Sequence, residues 1–416
     1  MPPAEVWAGD VVVIGGGVTG ALLSRELAVD RSVLLIDQGG YGAGQSNHSH
    51  GYLHQGYIYI SGATGLIRSL GQGATRWREI LHAAGCKPVT PGSTVAFTDQ
   101  LSVAAARALW SRASLPIRSG PPPAGFDGRT FAACFSTAEP SYDFTGLLQA
   151  LQEDLVGVPQ MRARLRRIRI QGGEVTGVEV QHAADRTRLL LRARAYVLAA
   201  GASNIGLLHQ ATRYRGRAIS RMSFMLVAAG EHLPPTSLIL PGNTHYGLFV
   251  VSRPRDGGGN VWLISNFVSM AHDGYNRSAR RLWLKSMLGT IGPIAPVLRD
   301  ADVRWALYNA PKGELRDSPG TMKGHGWEGF GLPNLFVLAP TKLTLAPLLA
   351  DDVAHELRSR LGAAPRTDGE IAVEILPVLP ERWRRERMLP IQRLCLNEEC
   401  PAAAQAVWSL SPLAAA

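Results

Sequence analysis

Three histidines fall in H-x-H-x-x-x-H spacing at His48, His50 and His54, inside the run GAGQSNHSHGYLHQGYIY at 42–59. Imidazole is the side chain that exchanges a proton near neutral pH, so this loop offers a general base. His54 is the first candidate and His48 the second. Clustered histidines can also hold a metal, but no carboxylate or cysteine joins these three in the run, and no metal is expected. For each histidine the alternative is a satisfied polar residue in a tight loop. Lysine is scarce. Lys87, Lys285, Lys312, Lys323 and Lys342 are the only ones, and three of these five fall between 312 and 342. A lysine ammonium is a compact charge whose pKa moves readily on burial. Lys312 and Lys323 are candidates for binding an anionic substrate or assisting oxygen, with surface placement as the alternative.

A second set of residues would place a cofactor beside that loop. The segment VVVIGGGVTG (11–20) is followed by a helical run and then by SVLLIDQ (32–38). Strand, glycines, helix, strand and acid in this order form the dinucleotide fingerprint. Gly15 permits the tight turn, Gly17 lets the backbone approach a pyrophosphate, and Gly20 lets helix and strand pack. The N–H groups around Val18 and Thr19 open the helix toward the anion. Asp37, with Gln38 beside it, would accept hydrogen bonds from the ribose.

The elements that must hold these residues follow from periodicity. Residues 61–84 read as a helix. Residues 87–140 read as short strands and turns. Asp143 caps a helix whose Phe144, Leu147, Leu148 and Leu151 share a face. The run RRIRIQGGEVTGVEV (166–180) is a hairpin turning at Gly172-Gly173, its arginines on the wet face. RAYVLAAGASN (194–204) is a buried strand that returns beside the first one and ends at Ala200-Gly201. Strand-like runs alternate across 221–310 around a helix near 276–288. NLFVLAP is a strand, and TKLTLAPLLADDVAHEL a helix. The fold class is α/β: a discontinuous Rossmann-like domain (1–85, 141–210, 330–360) carrying an inserted antiparallel-sheet α+β substrate domain (86–140, 211–329). Residues 361–416 form a C-terminal extension of no assigned structure, with Arg382-Trp383-Arg384-Arg385 as a solvated face.

Composition narrows the class further. A chain of 416 residues has room for two or three domains. No apolar run reaches the roughly 20 residues of a membrane span, and the N-terminus shows no secretory signal. Cys86, Cys134, Cys395 and Cys400 form no C-x-x-C pair, so free thiols in a reducing cytoplasm are expected. The net charge of +10 suits an anionic small-molecule substrate; no nucleic-acid module accompanies it.

With these residues in view, the chain resembles the D-amino-acid-oxidase-like superfamily of FAD enzymes. The loop is similar to the His-Asn-Ser-Gly-x-x-His-x-Gly pattern of the L-2-hydroxyglutarate dehydrogenases, with His48, Gly51, His54 and Gly56 in register. The run YGLFVVSR (246–253) is similar to their Leu-Gly-Val-His strand, with Val251 where a histidine is expected. Residues 332–355 resemble the C-terminal FAD-binding strand and helix of the superfamily, although Ala339-Pro340-Thr341 replaces a glycine-rich stretch. Lys342 lies where sarcosine oxidases place a lysine that holds the substrate carboxylate.

The resemblance implies FAD, and oxidation of a C–H next to OH or NH in a hydroxy acid, alcohol, amine or amino acid. The cofactor contacts it implies are the glycine loop, Asp37, Gly44, Gln45, Ser46, His48, Gly51, Ala200, Gly201, Thr341, Lys342, Leu343 and Thr344. The helix after Thr341 should aim its N-terminus at the flavin N1–C2=O edge, with Lys342 adding a full charge. Two other readings are a flavin monooxygenase or halogenase, and a nucleotide-binding protein without turnover or a basic RNA-modifying flavoprotein. The strand end Leu338-Ala339-Pro340 lacks the Gly-Asp pair expected of the former.

Overall fold

Strands buried on both faces read as unbroken apolar runs, and the VVVI and VLLI segments are sandwiched in that way. The computed structural model describes residues 4–62, 64–211, 218–241, 247–266, 270–271, 276–318, 321–322, 327–340, 342–362, 367–368 and 374–398. Its elements begin with β1 (Ala4–Ile14), α1 (Val18–Leu27), β2 (Val33–Asp37), α2 (Thr64–Ala83), β3 (Ser93–Phe97), α3 (Gln100–Arg112), β4 (Ala133–Thr137) and α4 (Phe144–Asp154). Then come β5 (Gln160–Gln171), β6 (Glu174–His182), β7 (Arg188–Leu198), α5 (Asn204–Ala211), β8 (Ala218–Gly230), β9 (Ser237–Leu240), β10 (Leu248–Pro254), β11 (Asn260–Ser265) and β12 (Met270–Ala271). The chain continues through α6 (Arg277–Ile294), β13 (Arg304–Ser318), β14 (Thr321–Met322), β15 (Trp327–Glu328), β16 (Leu335–Leu338), α7 (Ala346–Leu361), β17 (Thr367–Asp368) and α8 (Ile391–Asn397).

The first sheet has a parallel centre, β2–β1–β7–β16, with Val13 opposite both Leu35 and Val197. The strand ending at Leu198 therefore returns beside β1, as its apolar run suggested. Leu22, Leu23, Leu147, Leu148, Leu349 and Val353 of α1, α4 and α7 cover one face. The meander β5–β6–β7 covers the other, packing Leu165, Val178 and Val180 on Val12, Ile14, Leu34 and Ile36. Gly172 and Gly173 turn its hairpin with φ of +62° and +82°.

The second sheet runs β14-β13-β8-β11-β10-β9-β3-β4, with β12 beside β8. It is antiparallel except where β3 lies parallel to β9. Helix α6 seals one face through Trp283, Leu284, Met287 and Ile291. The opposite face is set by register. Tyr308 lies opposite Met225, Lys312 opposite Arg221 and Glu314 opposite Ile219. Cross-strand partners share a face, so Arg221, Ser223, Tyr308, Lys312 and Glu314 lie together on the face away from α6.

Three expectations change. Residues 100–112 form a helix rather than strands and turns: Asp99 caps it by accepting from Ser102 N at 2.7 Å, and Val103, Ala106, Leu109 and Trp110 are buried. The helix expected from 341 begins as a 3₁₀ turn, Leu343–Leu345, before α7 starts at Ala346 with Pro347 in its first turn. The C-terminal residues 374–398 are packed rather than appended. Val378 bridges Tyr41, Leu389 bridges Trp305, and Leu394 and Cys395 enter the core beneath α6. Trp383 is buried, so the 382–385 run is solvated only in part.

Candidate active site

The three glycines of the fingerprint divide into two kinds. Gly15 has φ +120°, and a Cβ there would lie 2.5 Å from the Ala199 carbonyl; at Gly20 it would lie 2.0 Å from Gly15 O. Both are required by the protein's own packing. Among the described residues, the only atom within reach of a Cβ at Gly17 is Ser46 Oγ, at 3.2 Å. Gly17 and Thr19 are half-buried at the start of α1, and Ser46 Oγ accepts from Val18 N at 3.0 Å. Asp37 ends β2 with its carboxylate pinned over this loop: Oδ2 accepts from Gly16 N at 2.8 Å, and Oδ1 from Gly39 N and Gly40 N at 2.7 and 2.9 Å. Gln38 is exposed.

The histidine loop leaves this region as a 3₁₀ turn, Gln45–His48, following exposed Gly44. Gln45 Oε1 accepts from Gly313 N at 3.1 Å, tying the loop to β13. Asn47 Nδ2 donates to the carbonyls of Leu379 and Pro380 at 2.5 and 3.1 Å. His48 bonds the Gly44 carbonyl through Nδ1 at 2.7 Å and meets Tyr308 edge-on at 5.9 Å. Gly51 has φ +63° and lies against Tyr142 O, which a Cβ would approach to 2.0 Å. Arg253 anchors the loop from β10: it donates to His50 O at 2.6 Å and Tyr142 O at 2.8 Å, and pairs with Glu381 at 3.1 Å.

Beyond Gly51 the rings gather. Phe249 of β10 lies 5.3 Å from His50 and 5.5 Å from His54, and Tyr52 meets His54 edge-on at 4.6 Å. His54 is 7% exposed, and Nδ1 of both His50 and His54 has no hydrogen-bond partner among the described residues. Burial, then the charges of Lys312, Arg253 and Lys342, push His50 down to about 3. Burial, then Lys342, His50 and Lys312, hold His54 well below the usual imidazole range. Burial and the Lys342 ammonium push Lys312 down to about 8, and burial lowers Lys342 as well. Two lysines and two neutral imidazoles therefore share one seam between the sheets. The carboxylate that both lysines feel, Glu314, is already engaged by Arg221, with Nε–Oε2 at 2.6 Å.

The other expected residues come from distant parts of the chain. Gly201, with φ +55°, backs onto Gly313, whose Cβ would strike Gly201 O at 2.2 Å; Ala200 N donates to Asn204 Oδ1. Leu343 O accepts from Trp77 Nε1 at 3.0 Å, and Thr344 is fully buried with an unpartnered Oγ1. Thr341, Lys323 and Tyr246 lie outside the described residues. Buried oxygens without partners recur on these walls: Ser223 Oγ, Tyr308 Oη and Asn47 Oδ1. Polar atoms left this way inside a fold need partners, and a bound polar ring system between the walls would provide them.

The profile of the DAO family, FAD dependent oxidoreductase, matches residues 10–356. The chain belongs to this family. As a DAO-family enzyme it is an FAD-dependent oxidoreductase, and the open face of Gly17, the pinned Asp37 carboxylate and the orphaned seam oxygens fit that cofactor. No curated protein matches it in sequence. Solved structures share the fold. The FAD dependent oxidoreductase PA4991 from Pseudomonas aeruginosa is 21% identical, with a TM-score of 0.70 over 92% of this chain and 99% of that one. Glycine oxidase from Geobacillus kaustophilus is 18% identical, with a TM-score of 0.66 over 90% and 99%. L-Proline dehydrogenase from P. horikoshii is 14% identical, with a TM-score of 0.67 over 92% and 99%.

Tyr52, Arg253 and Glu381 pack on or clamp the histidine loop, and nothing in the sequence marked them for that place. Arg253 was the nearest to visible. Alternation along LFVVSR puts it on the same face as Phe249 and Val251, a face otherwise apolar.

Proposed function

We propose that the chain oxidises a small amine or amino acid that carries a carboxylate, taking a hydride from the carbon that bears nitrogen. The observation that supports this most is the pair Lys312 and Lys342, close enough for the Lys342 ammonium to depress Lys312, with Glu314, the carboxylate both feel among the described residues, already held by Arg221. A substrate carboxylate would settle there. The glycine oxidase and L-proline dehydrogenase folds give the same direction.

Gly17, Val18 and Thr19 would hold the cofactor diphosphate and Asp37 the ribose. Gln45, Ser46, His48, Gly51 and Thr344 would line its path to the seam. When bound, FAD supplies the hydride acceptor. Neutral His54, in the aromatic cage, would take the proton from the substrate's ammonium nitrogen, freeing the lone pair that drives the hydride from the adjoining carbon. Burial, and then the charges of Lys342, His50 and Lys312, disfavour a proton on His54. A carboxylate set against Lys342 would remove one opposing charge and ease the transfer of a proton to the imidazole.

The test is anaerobic bleaching of the yellow holoenzyme by glycine, sarcosine, L-proline and L-2-hydroxyglutarate in turn. The amines should bleach it, and His54→Ala should slow bleaching while flavin stays bound. Bleaching by L-2-hydroxyglutarate and by none of the amines would move the reading to a hydroxy acid. Full-speed reduction of His54→Ala would remove that residue from the chemistry.

A further inference from the structure

The link between β4 and α4 carries a carboxylate that touches neither the glycine loop nor the lysines. Glu139 is fully buried. One oxygen accepts from Tyr52 Oη at 2.5 Å. The other faces three consecutive backbone N–H groups, those of Gln55, Gly56 at 3.0 Å and Tyr57 at 3.4 Å. The residue just before that row is His54, and Tyr52 is the ring that meets His54 edge-on. The same link is laid along the loop by backbone bonds, Leu53 N to Pro140 O at 3.0 Å and Tyr142 N to Gly51 O at 2.9 Å. Gly56 takes φ +113°, so the turn bends back on itself around the carboxylate.

Such a turn does not form by itself. Three N–H groups aimed at one point repel one another unless an anion or carbonyl sits there. Burial pushes the Glu139 carboxyl up to about 7, and the bonds from Tyr52, Gln55, Tyr57 and Gly56 oppose that rise by favouring the ion. Burying a carboxylate is expensive unless its partners are arranged for it. A hydrophobic residue of similar volume would serve a purely structural link between strands.

We infer that Glu139 is a positioning residue: through Tyr52 and the Gln55–Tyr57 backbone it fixes the His54 imidazole in the seam. This rests on the reading of His54 as the proton-handling group. Its first test needs no substrate.

Holoenzyme is prepared with 13Cε1-labelled histidine, and the His54 resonance is identified by its loss in His54→Ala. In the wild-type protein that resonance should be single and should not titrate between roughly pH 6 and 8, where a free imidazole would. Glu139→Ala should broaden it or make it titrate. Glu139→Gln should leave it in place, because the amide oxygen accepts the same three N–H bonds. If Glu139→Ala does not fold, Glu139→Asp replaces it, since the shorter side chain cannot reach Tyr52 and the turn together. An unmoved His54 resonance in the Ala variant, or in Asp where that stands in for it, overturns the inference whether or not any compound reduces the flavin.

Where a compound does reduce it, Glu139→Ala should lower kcat about 30-fold with KM nearly constant, the signature of a misplaced catalytic group. Adding His54→Ala should slow it no further. Additive losses would mean that Glu139 acts by another route, and would also overturn the inference.

Discussion

The Gly313 backbone N–H donates to Gln45 Oε1 at 3.1 Å, joining the long strand of the second sheet to the loop that follows the nucleotide motif. Gly313 can approach only because it has no side chain. A Cβ would lie 2.2 Å from Gly201 O and 2.9 Å from Ala202 N. The two sheets thus meet backbone to backbone, and this contact sets the width of the seam in which Lys312 sits. Gly313→Ala should therefore push β13 away, lowering stability by about 1–3 kcal/mol and reducing the flavin-to-protein ratio. Gly289→Ala is the control. It lies on the exposed face of α6 with nothing within 4 Å, and should raise stability by about 0.5–1 kcal/mol. Thermal unfolding and the visible spectrum of both variants check the pair.

The fingerprint glycines should separate by phenotype. Gly17→Val adds a side chain where only Ser46 Oγ is near, so the polypeptide should fold with a near-normal melting temperature and purify colourless. Gly20→Val drives a side chain into the Gly15 carbonyl between α1 and β1. It should unfold the nucleotide half, costing about 3 kcal/mol or more. A yellow Gly17→Val preparation would contradict the assignment of that face to the diphosphate. Circular dichroism together with flavin content distinguishes the two outcomes.

What the sequence made legible was local. The order of strand, glycines, helix and acid from 11 to 38 is contiguous, and each part acts on its neighbours. The amphipathic helices and the Gly172-Gly173 hairpin are contiguous too. The scarcity of lysine drew attention to Lys312 and Lys342, though no spacing could show that they meet. The clamps on the histidine loop were invisible for the same reason. Gln55 and Glu139 stand 84 positions apart, Arg253 and Glu381 128, and Asn47 and Leu379 332. Helix α3 is a different case. Its Asp99 cap and the apolar spacing of Val103, Ala106 and Trp110 were present in the sequence, but the surrounding Ser, Gly and Pro residues suggested turns.

Arg253 and Glu381 form an ion pair in which both partners are almost fully buried, at 1% and 2% exposure. Arg253 also holds the His50 and Tyr142 carbonyls, while Glu381 accepts from Trp383 Nε1 at 2.5 Å. Arg253→Ala leaves a buried carboxylate unopposed and two carbonyls unpaired, and should cost about 3–5 kcal/mol. Glu381→Gln keeps a hydrogen-bonding group of the same shape and should cost less. The urea midpoints of the two variants test the order. If Glu381→Gln is the more damaging, the pair is not what fastens the C-terminal segment to the histidine loop.

Lys312 provides a pH signature. Its pKa is pushed down from the ordinary lysine value to about 8 by burial and then by Lys342. Between about 8 and 10.5 the unfolded chain binds a proton that the folded chain does not, so stability without substrate should rise with pH across that window. Binding of a carboxylate runs the opposite way. The ammonium that would anchor it is present below about 8 and disappears above, so KM for an amino acid substrate should climb as pH rises through that value. Lys312→Met removes one of two depressed lysines and should weaken both trends while raising KM at neutral pH. Substrate-saturation curves and thermal midpoints from pH 6.5 to 10, on wild type and Lys312→Met, measure this. A KM that stays level above pH 8 in the wild-type enzyme would show that the carboxylate is held elsewhere.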